Sequence, residues 1–204
     1  MSKVMVGLSI SLDGFVAAPN DTPENGLGDG GMRLFDWYYS GDVELPLPGT
    51  DMVFKVSQAS FDLLQSTWST LGAGIVGRRT FDIAHGWGGN PPGGGHHFVV
   101  THTVPQEWVK DDSPFTFVTD GVESAVRQAK KAAGDKNVSV MSASIAQQCL
   151  KLGLLDEIHL DVVPVLLGGG IRLFDNLGPA QIELERLHAV EAPGVTHLGF
   201  RVVK

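Results

Sequence analysis

The chain has a single cysteine, Cys149, so no intramolecular disulfide can form and no cysteine-rich zinc site can be built. Positive charge is scarce too: 15 Lys and Arg against 23 Asp and Glu give a formal net charge of −8. Generic nucleic-acid binding needs a basic field, and this chain has none to offer. Long apolar runs are missing as well. The start, MSKVMVGLSISLDGFVA, has a Lys and apolar residues, as a signal peptide does. Ser9, Ser11 and Asp13 interrupt it, however, and no stretch is long enough to span a bilayer. The expectation is a cytoplasmic protein without a membrane partner. HExxH, a zinc-deaminase signature, a P-loop and a G-x-S-x-G elbow are all absent. Hydrolysis by a triad or a metal therefore has no sequence support, and no metal site is expected.

What is present suits a soluble globular chain: 43% of the 204 residues are hydrophobic and 19% charged. No internal repeat or composition shift divides it, so residues 1–204 read as one domain. In the first segment Val4, Val6, Leu8, Ile10 and Leu12 alternate with Gly7, Ser9 and Ser11. This is a strand with one apolar face and one face of small side chains, open to close approach by a helix or a ligand. The Gly- and Asp-rich stretch from Pro19 to Gly31 holds no regular element and reads as a long loop. MRLFDWYY follows as a short helix, then a second loop through Pro46 and Pro48.

Val56, Ala59, Leu63, Leu64, Trp68 and Leu71 recur at helical spacing. AGIVG, FVVT, FTFV and VSVM read as strands, and EIHLDVVPVLL as a strand whose Pro164 implies an edge or a bulge. RRTFDIAHGW reads as a helical turn. Asp120 and Glu123 open a helix that stops at Gly134, and Ser144 with Gln147 forms a capping box for another. IELERLHAV and VTHLGFRVV alternate across Glu-Ala-Pro-Gly as a β-hairpin. The sum is an α/β architecture with a mostly parallel sheet flanked by helices and a C-terminal antiparallel hairpin.

Three junctions stand out for chemistry. In IVGRRTFD a strand runs into Gly77, Arg78, Arg79 and Thr80. Two guanidinium groups and a hydroxyl after a glycine fit a phosphate clamp; ordinary surface charge is the alternative. In VSVMSASIAQQ a strand delivers a helix start lined by Ser142, Ala143 and Ser144. It suits a pyrophosphate on backbone N–H groups, or a routine helix cap. Gly168 to Gly170, after another strand, read better as a turn than as a ligand contact. His96 and His97 point to opposite faces of one strand. His159 and Asp161 share a face, better explained by an edge strand than by a metal. Asp13, at the end of the first strand in SLDG, sits where α/β proteins place ligand-contacting groups, or else caps a turn with Gly14.

Taken together, SLDGFVA, IVGRRTFD and GLLDEIHLDVVPVLLGGGIRLF resemble the reductase domain of the bacterial bifunctional deaminase-reductases of riboflavin synthesis, which has the dihydrofolate reductase-like fold. The resemblance runs over nearly the whole chain, in order. It implies NADPH lying across the C-terminal ends of the strands. Cofactor phosphates map onto Gly77, Arg78, Arg79 and Thr80; the adenosine end and its 2′-phosphate onto Thr101 and His102; the pyrophosphate onto Ser142, Ala143, Ser144, Ile145 and Ala146. Asp13 and Gly14 fall on the nicotinamide and substrate side, with Asp13 as the proton donor. The loop PENGLGDGG, with Gly28 and Gly30, matches the loop that closes over the nicotinamide and excludes water.

Ser142 and Ala143 depart from the Gly-Gly pair common in that family, and the zinc-binding deaminase half has no counterpart. The substrate implied is a small pyrimidine or pterin, 5-amino-6-(5-phosphoribosylamino)uracil being one. A phosphorylated substrate needs a second cationic cluster, for which Arg33 and Arg172 are scattered candidates. Two other readings remain open. A dihydrofolate reductase needs an acid on the helix after the first loop, where Asp36 stands; a non-catalytic nucleotide-binding module draws on the Ser142–Ala143 departure. The exposed hairpin edge and the resemblance point to a homodimer.

Overall fold

A computed structural model describes residues 2–204. From the N-terminus come β1 (Val4–Ser11), β2 (Phe15–Ala17), a 3-10 helix (Gly31–Tyr39), β3 (Val43–Pro46), β4 (Val53–Val56) and α1 (Gln58–Trp68). Next are β5 (Leu71–Gly77), α2 (Arg78–Ile83), a 3-10 segment (His85–Gly89), β6 (His96–Val100), a 3-10 turn (Gln106–Trp108), β7 (Phe115–Val118) and α3 (Val122–Ala133). The last third holds β8 (Asn137–Val140), α4 (Ala143–Lys151), β9 (Glu157–Val163), β10 (Ile171–Arg172), β11 (Leu184–Ala192) and β12 (Val195–Val202).

Eight strands make the central sheet in the order β11-β12-β9-β1-β8-β5-β6-β7. The six from β9 to β7 run parallel, and β12 and β11 return antiparallel at one end. The expected mostly parallel sheet with a terminal hairpin is what the chain forms. Its parallel strands all point their C-terminal ends one way, so the β1, β5, β6, β8 and β9 exits line a common rim, the place where open α/β sheets bind ligands.

The two sheet faces are built from different residues. Val4, Val6, Ile10, Ile75, Phe98, Val138, Val140 and Ile158 bury one face under α3 and α4. Those helices sit there because their apolar residues recur on one side: Val122, Ala125, Val126, Ala129 and Ala133 on α3, and Ala146, Cys149 and Leu150 on α4. Gly134, at φ 62, ends α3 as expected. Burial of each such Val or Ile stabilises the fold by about 1.5–3 kcal/mol. The opposite face carries Gly7, Ser9 and Ser11. Part of it is covered by the 3-10 helix, whose Leu34 and Trp37 pack with Leu45, Phe54, Val56 and Leu64 of the β3–β4 hairpin and α1.

Several expectations are corrected. Val56 and Leu71 are not in one helix: Val56 ends β4 and Leu71 begins β5, with α1 between them. The segment through Pro46 forms the β3–β4 hairpin, whose pairing of Val43 with Val56 and Leu45 with Phe54 rests on burial against α1, which local sequence does not show. β9 is no edge strand; it lies between β1 and β12 and stops before Pro164, so the proline needs no bulge. Ser142, not Ser144, holds the N-cap position of α4 and makes no capping bond, and the Gln147 amide donates to the carbonyls of Arg172 and Leu173.

Candidate functional site

The rim is where the sequence-derived residues gather. The β5–α2 and β8–α4 junctions abut: a Cβ on Gly77 would lie 3.3 Å from Ser144 Oγ and 3.4 Å from Ser142 Oγ. Glycine is favoured at 77 by this close approach rather than by its φ of −80. The Gly77 N–H donates to Ser142 Oγ (2.8 Å), and Ser142 Oγ donates to Thr80 Oγ1 (3.0 Å). Buried Ser142 thus ties the two junctions together and does not cap its own helix, because α4 has no side-chain cap. The early N–H groups of α4 are left for another acceptor. Ala143, Ile145 and Ala146 turn their side chains into the core. The Ala146 N–H is already given to the Ser142 carbonyl (3.0 Å), so of the expected stretch Ala143, exposed Ser144 and Ile145 keep backbone donors.

The two adjacent arginines part company. Arg78 turns toward the β6 exit: its Nε donates to both Asp82 oxygens (2.8 and 2.9 Å) and its Nη1 to the Thr103 carbonyl (2.7 Å), beside Thr101 Oγ1 (3.5 Å). Thr101 is buried and its hydroxyl donates to the Thr103 carbonyl, while the His102 side chain is exposed. Arg79 instead reaches the long loop, donating to Asp21 Oδ1 (2.7 Å), Asp21 Oδ2 (3.1 Å) and the Asp21 carbonyl (2.6 Å). The Asp21 carboxylate raises the Arg79 pKa further, through its hydrogen bonds first and its charge second. Only Arg78 therefore stands with Thr101 and His102; Arg79 fastens the loop.

That loop is ordered by its own polar groups. The Asn20 and Asn25 amides both donate to Asp29 (2.7 and 2.9 Å), and the Ala18 N–H donates to the Leu27 carbonyl (2.8 Å). Gly28, at φ 81, would drive a Cβ to 2.5 Å from the Ala18 carbonyl oxygen, so it makes the loop's turn, whereas Gly30 faces open space.

At the β1 exit, Asp13 accepts from Ser11 Oγ (2.6 Å), from the Leu167 N–H (3.1 Å) and from the Gly168 N–H (2.8 Å). The Ser11 bond leads the causes that bring its carboxyl down to about 2. A group that stays ionised and spends three acceptor positions on its own chain holds the 167–168 turn in place; it does not suit the expected role of proton donor. Gly14, at φ 92, faces Arg172, whose Nη1 donates to the Asp13 carbonyl (3.1 Å) while its guanidinium stacks 4.4 Å from the Phe15 ring centre. Arg172 thus places a cation at the β1 exit, beside Asp13 and Gly14. Arg33 and Asp36 pair with each other on the exposed side of the 3-10 helix (2.7 Å), away from the sheet. Gly170, at φ 117, closes against the Ala17 carbonyl, consistent with a turn.

One cluster was missed. On the polar face Ser60 Oγ lies 2.9 Å from His197 Nε2, and His197 Nδ1 lies 2.6 Å from Asp161 Oδ1. Trp37 Nε1 donates to Ser9 Oγ (3.1 Å), and its ring meets the His197 ring edge-on at 5.1 Å. The alternation of HLDVV and VTHLG was legible, but their adjacency was not: Asp161 faces His197 only because β12 pairs with β9. His159 pairs with Glu157 (3.2 Å), so it and Asp161 have separate partners. Among the described residues no group of three or more His, Cys, Asp or Glu side chains is arranged to hold a metal.

The eight-stranded order, with its crossovers and antiparallel terminal pair, defines a dihydrofolate reductase-like fold. Dihydrofolate reductase from Enterococcus faecalis, solved with NADP(H) and RAB-propyl, superposes over 99% of this chain and 97% of its own, with a TM-score of 0.56 at 11% identity. A candidate riboflavin biosynthesis protein from Shewanella sp. PV-4 covers 100% of both chains with a TM-score of 0.69 at 21% identity. The curated protein YyaP of Bacillus subtilis (strain 168), itself uncharacterised, is 23% identical over 183 residues, 84% of this chain and 80% of its own. Residues 2–198 match the RibD C-terminal domain family, and the chain belongs to it.

Proposed function

We propose that the chain is an NADPH-dependent reductase that transfers hydride to a small pyrimidine or pterin-like heterocycle, with 5-amino-6-(5-phosphoribosylamino)uracil among the acceptors. The observation that carries this reading is that the uncapped start of α4, tied by Ser142 to Thr80, shares one rim of a parallel sheet with Arg78 and Thr101. That donor set fits a dinucleotide's phosphates: N–H groups of Ala143, Ser144 and Ile145 for the pyrophosphate, and the Arg78 guanidinium with the Thr101 and His102 side for a ribose phosphate. When bound, the cofactor supplies the hydride. The chain's own residues bind it, keep the loop with Gly28 and Gly30 beside the rim through Arg79–Asp21, and present Arg172 and Gly14 on the acceptor side.

The dihydrofolate reductase reading loses its residue, since Asp36 is exposed and paired with Arg33. A non-catalytic nucleotide-binding module is favoured by one observation, the Ser142 hydroxyl standing between the two junctions. Titration with NADPH and NADH, followed by tryptophan fluorescence, separates the two. We expect tighter NADPH binding, with the preference shrinking about tenfold or more in Arg78→Ala and little changed in Arg79→Ala. Equal or absent binding of both cofactors sinks the reductase. A homodimer belongs to the same proposal, supported by β11, a nine-residue edge strand with exposed Leu184 and Leu187. A monomer in sedimentation at working concentration would remove it.

A further inference from the structure

Among the described residues, Asp161 is the one carboxylate on the polar sheet face held by a chain of hydrogen-bonded side chains and by no Lys or Arg. The Ser57 hydroxyl donates to Ser60 Oγ (3.1 Å), leaving the Ser60 proton for His197 Nε2 (2.9 Å). His197 then carries its own proton on Nδ1 and gives it to Asp161 Oδ1 (2.6 Å). Ser60 and His197 are buried, so solvent does not compete for these bonds. Asp161 is different: its side chain keeps 16% of its accessibility, and Oδ2 has no hydrogen-bond partner among the described residues.

Ser9, opposite Asp161 in the β1–β9 register, is roofed by Trp37. Two residues further from the rim on β1, Gly7 is exposed. Half-buried Tyr38 stacks on Trp37 at 3.8 Å. Burial raises the Tyr38 pKa, and the Asp161 charge adds to the rise. A flat group sliding over Gly7 therefore meets aromatic rings, a sheet floor without side chains, and one oriented carboxylate edge. Asp161 lies two residues before Val163, the end of β9, about 7 Å below the rim.

We propose that Asp161 is the specificity-determining residue for the heterocycle, accepting two adjacent N–H donors from its edge, with His197 and Ser60 as positioning residues. This rests on the reductase reading and narrows it to acceptors with a ring N–H next to an exocyclic amino group. A carboxylate can take both bonds in parallel, whereas a plain uracil edge sets a carbonyl beside each N3–H neighbour and a C–H beside N1–H. Desolvated pairing of this kind discriminates by about tenfold or more, because an analogue lacking one donor leaves a half-buried acceptor unpaired.

The test is ligand-observed NMR with 6-aminouracil and uracil as probes, on the full chain with and without NADPH. We expect wild type to bind 6-aminouracil at least tenfold tighter than uracil. Asp161→Asn should lose that preference and Asp161→Glu recover part of it. Ser60→Ala should narrow it, while NADPH titrates as in wild type for all three. A wild type that binds NADPH but ignores both probes, or treats them alike, overturns the assignment; so does an Asp161→Asn variant that keeps the preference. If NADPH fails to bind while the 6-aminouracil preference persists, Asp161 stands and the reductase reading falls.

Discussion

The two faces of one sheet do opposite jobs with the same backbone. Beneath α3 and α4 the strands project Val, Ile and Phe, and the contact is apolar and close-packed. On the other face β1 shows Gly7, Ser9 and Ser11, β9 shows Glu157, His159 and Asp161, and β6 buries His97 across Gly74, where any Cβ would collide with its ring. The difference teaches that the α3–α4 face is apolar almost throughout, while the other mixes apolar clusters around Trp37 and Phe81 with polar and titratable strand positions. One face resists change; the other holds every perturbed histidine but His96, whose strand position turns it the other way to Thr116 (2.7 Å).

The largest expected effect lies on the apolar face. Ile75→Ala empties a fully buried position and should cost about 2–5 kcal/mol in chemical denaturation, with no new pH dependence. A cost under 1 kcal/mol would show that this face is not the stabilising one. On the polar face, burial pushes His97 down to about 4. The unfolded chain therefore takes up a proton near pH 6.5 while the folded chain stays neutral until about 4, so stability falls as pH drops through that window and is level above it. The loss is at most about 3 kcal/mol. His97→Phe, which also removes the partnerless Nε2, should flatten the curve; an unchanged slope assigns it to other groups.

A smaller effect follows from Asp13. Its ionised carboxylate holds the 167–168 turn at neutral pH, and the contribution fades as pH falls from about 4 toward 2. Asp13→Asn should speed hydrogen exchange at the Leu167 and Gly168 amides at pH 7, and unchanged exchange would show that the turn holds itself. The smallest signal is silence. Cys149 is buried against the apolar face, and burial lifts its thiol to about 12, so alkylation at pH 8 should wait for unfolding. Modification of native protein within minutes would mean that α4 opens readily.

Period-two and period-3.6 patterns were enough to find β1, the strands ending in Gly77 and Val100, α3 and the terminal hairpin, because each of these buries a regular stripe. They were not enough where tertiary pairing decides. The β3–β4 hairpin is short and carries a proline, and β9 was read as an edge because nothing local announces β12 beside it. The site divides in the same way. Gly77, Arg78 and Thr80 were legible because they share one strand-to-helix turn at the sheet rim, whereas Thr101 was implied only by the family resemblance. The separate duties of Arg78 and Arg79 depend on Asp82 and Asp21, one of them 58 residues away. Asp161, His197 and Ser60 come from three distant elements, and only the strand order brings them together.

β1 occupies the middle of the sheet, yet both of its neighbours, β8 and β9, are made more than 125 residues later. On a ribosome adding roughly 5–20 residues per second, the first strand waits on the order of ten seconds for either partner. Until then its Val-Met-Val stretch offers two unpaired edges, and long-range parallel pairing is slow even once the chain is complete. The rate of acquiring the native state should depend on chaperone supply and on a free C-terminal third, so a fusion that tethers or delays that third should burden the youngest chains most.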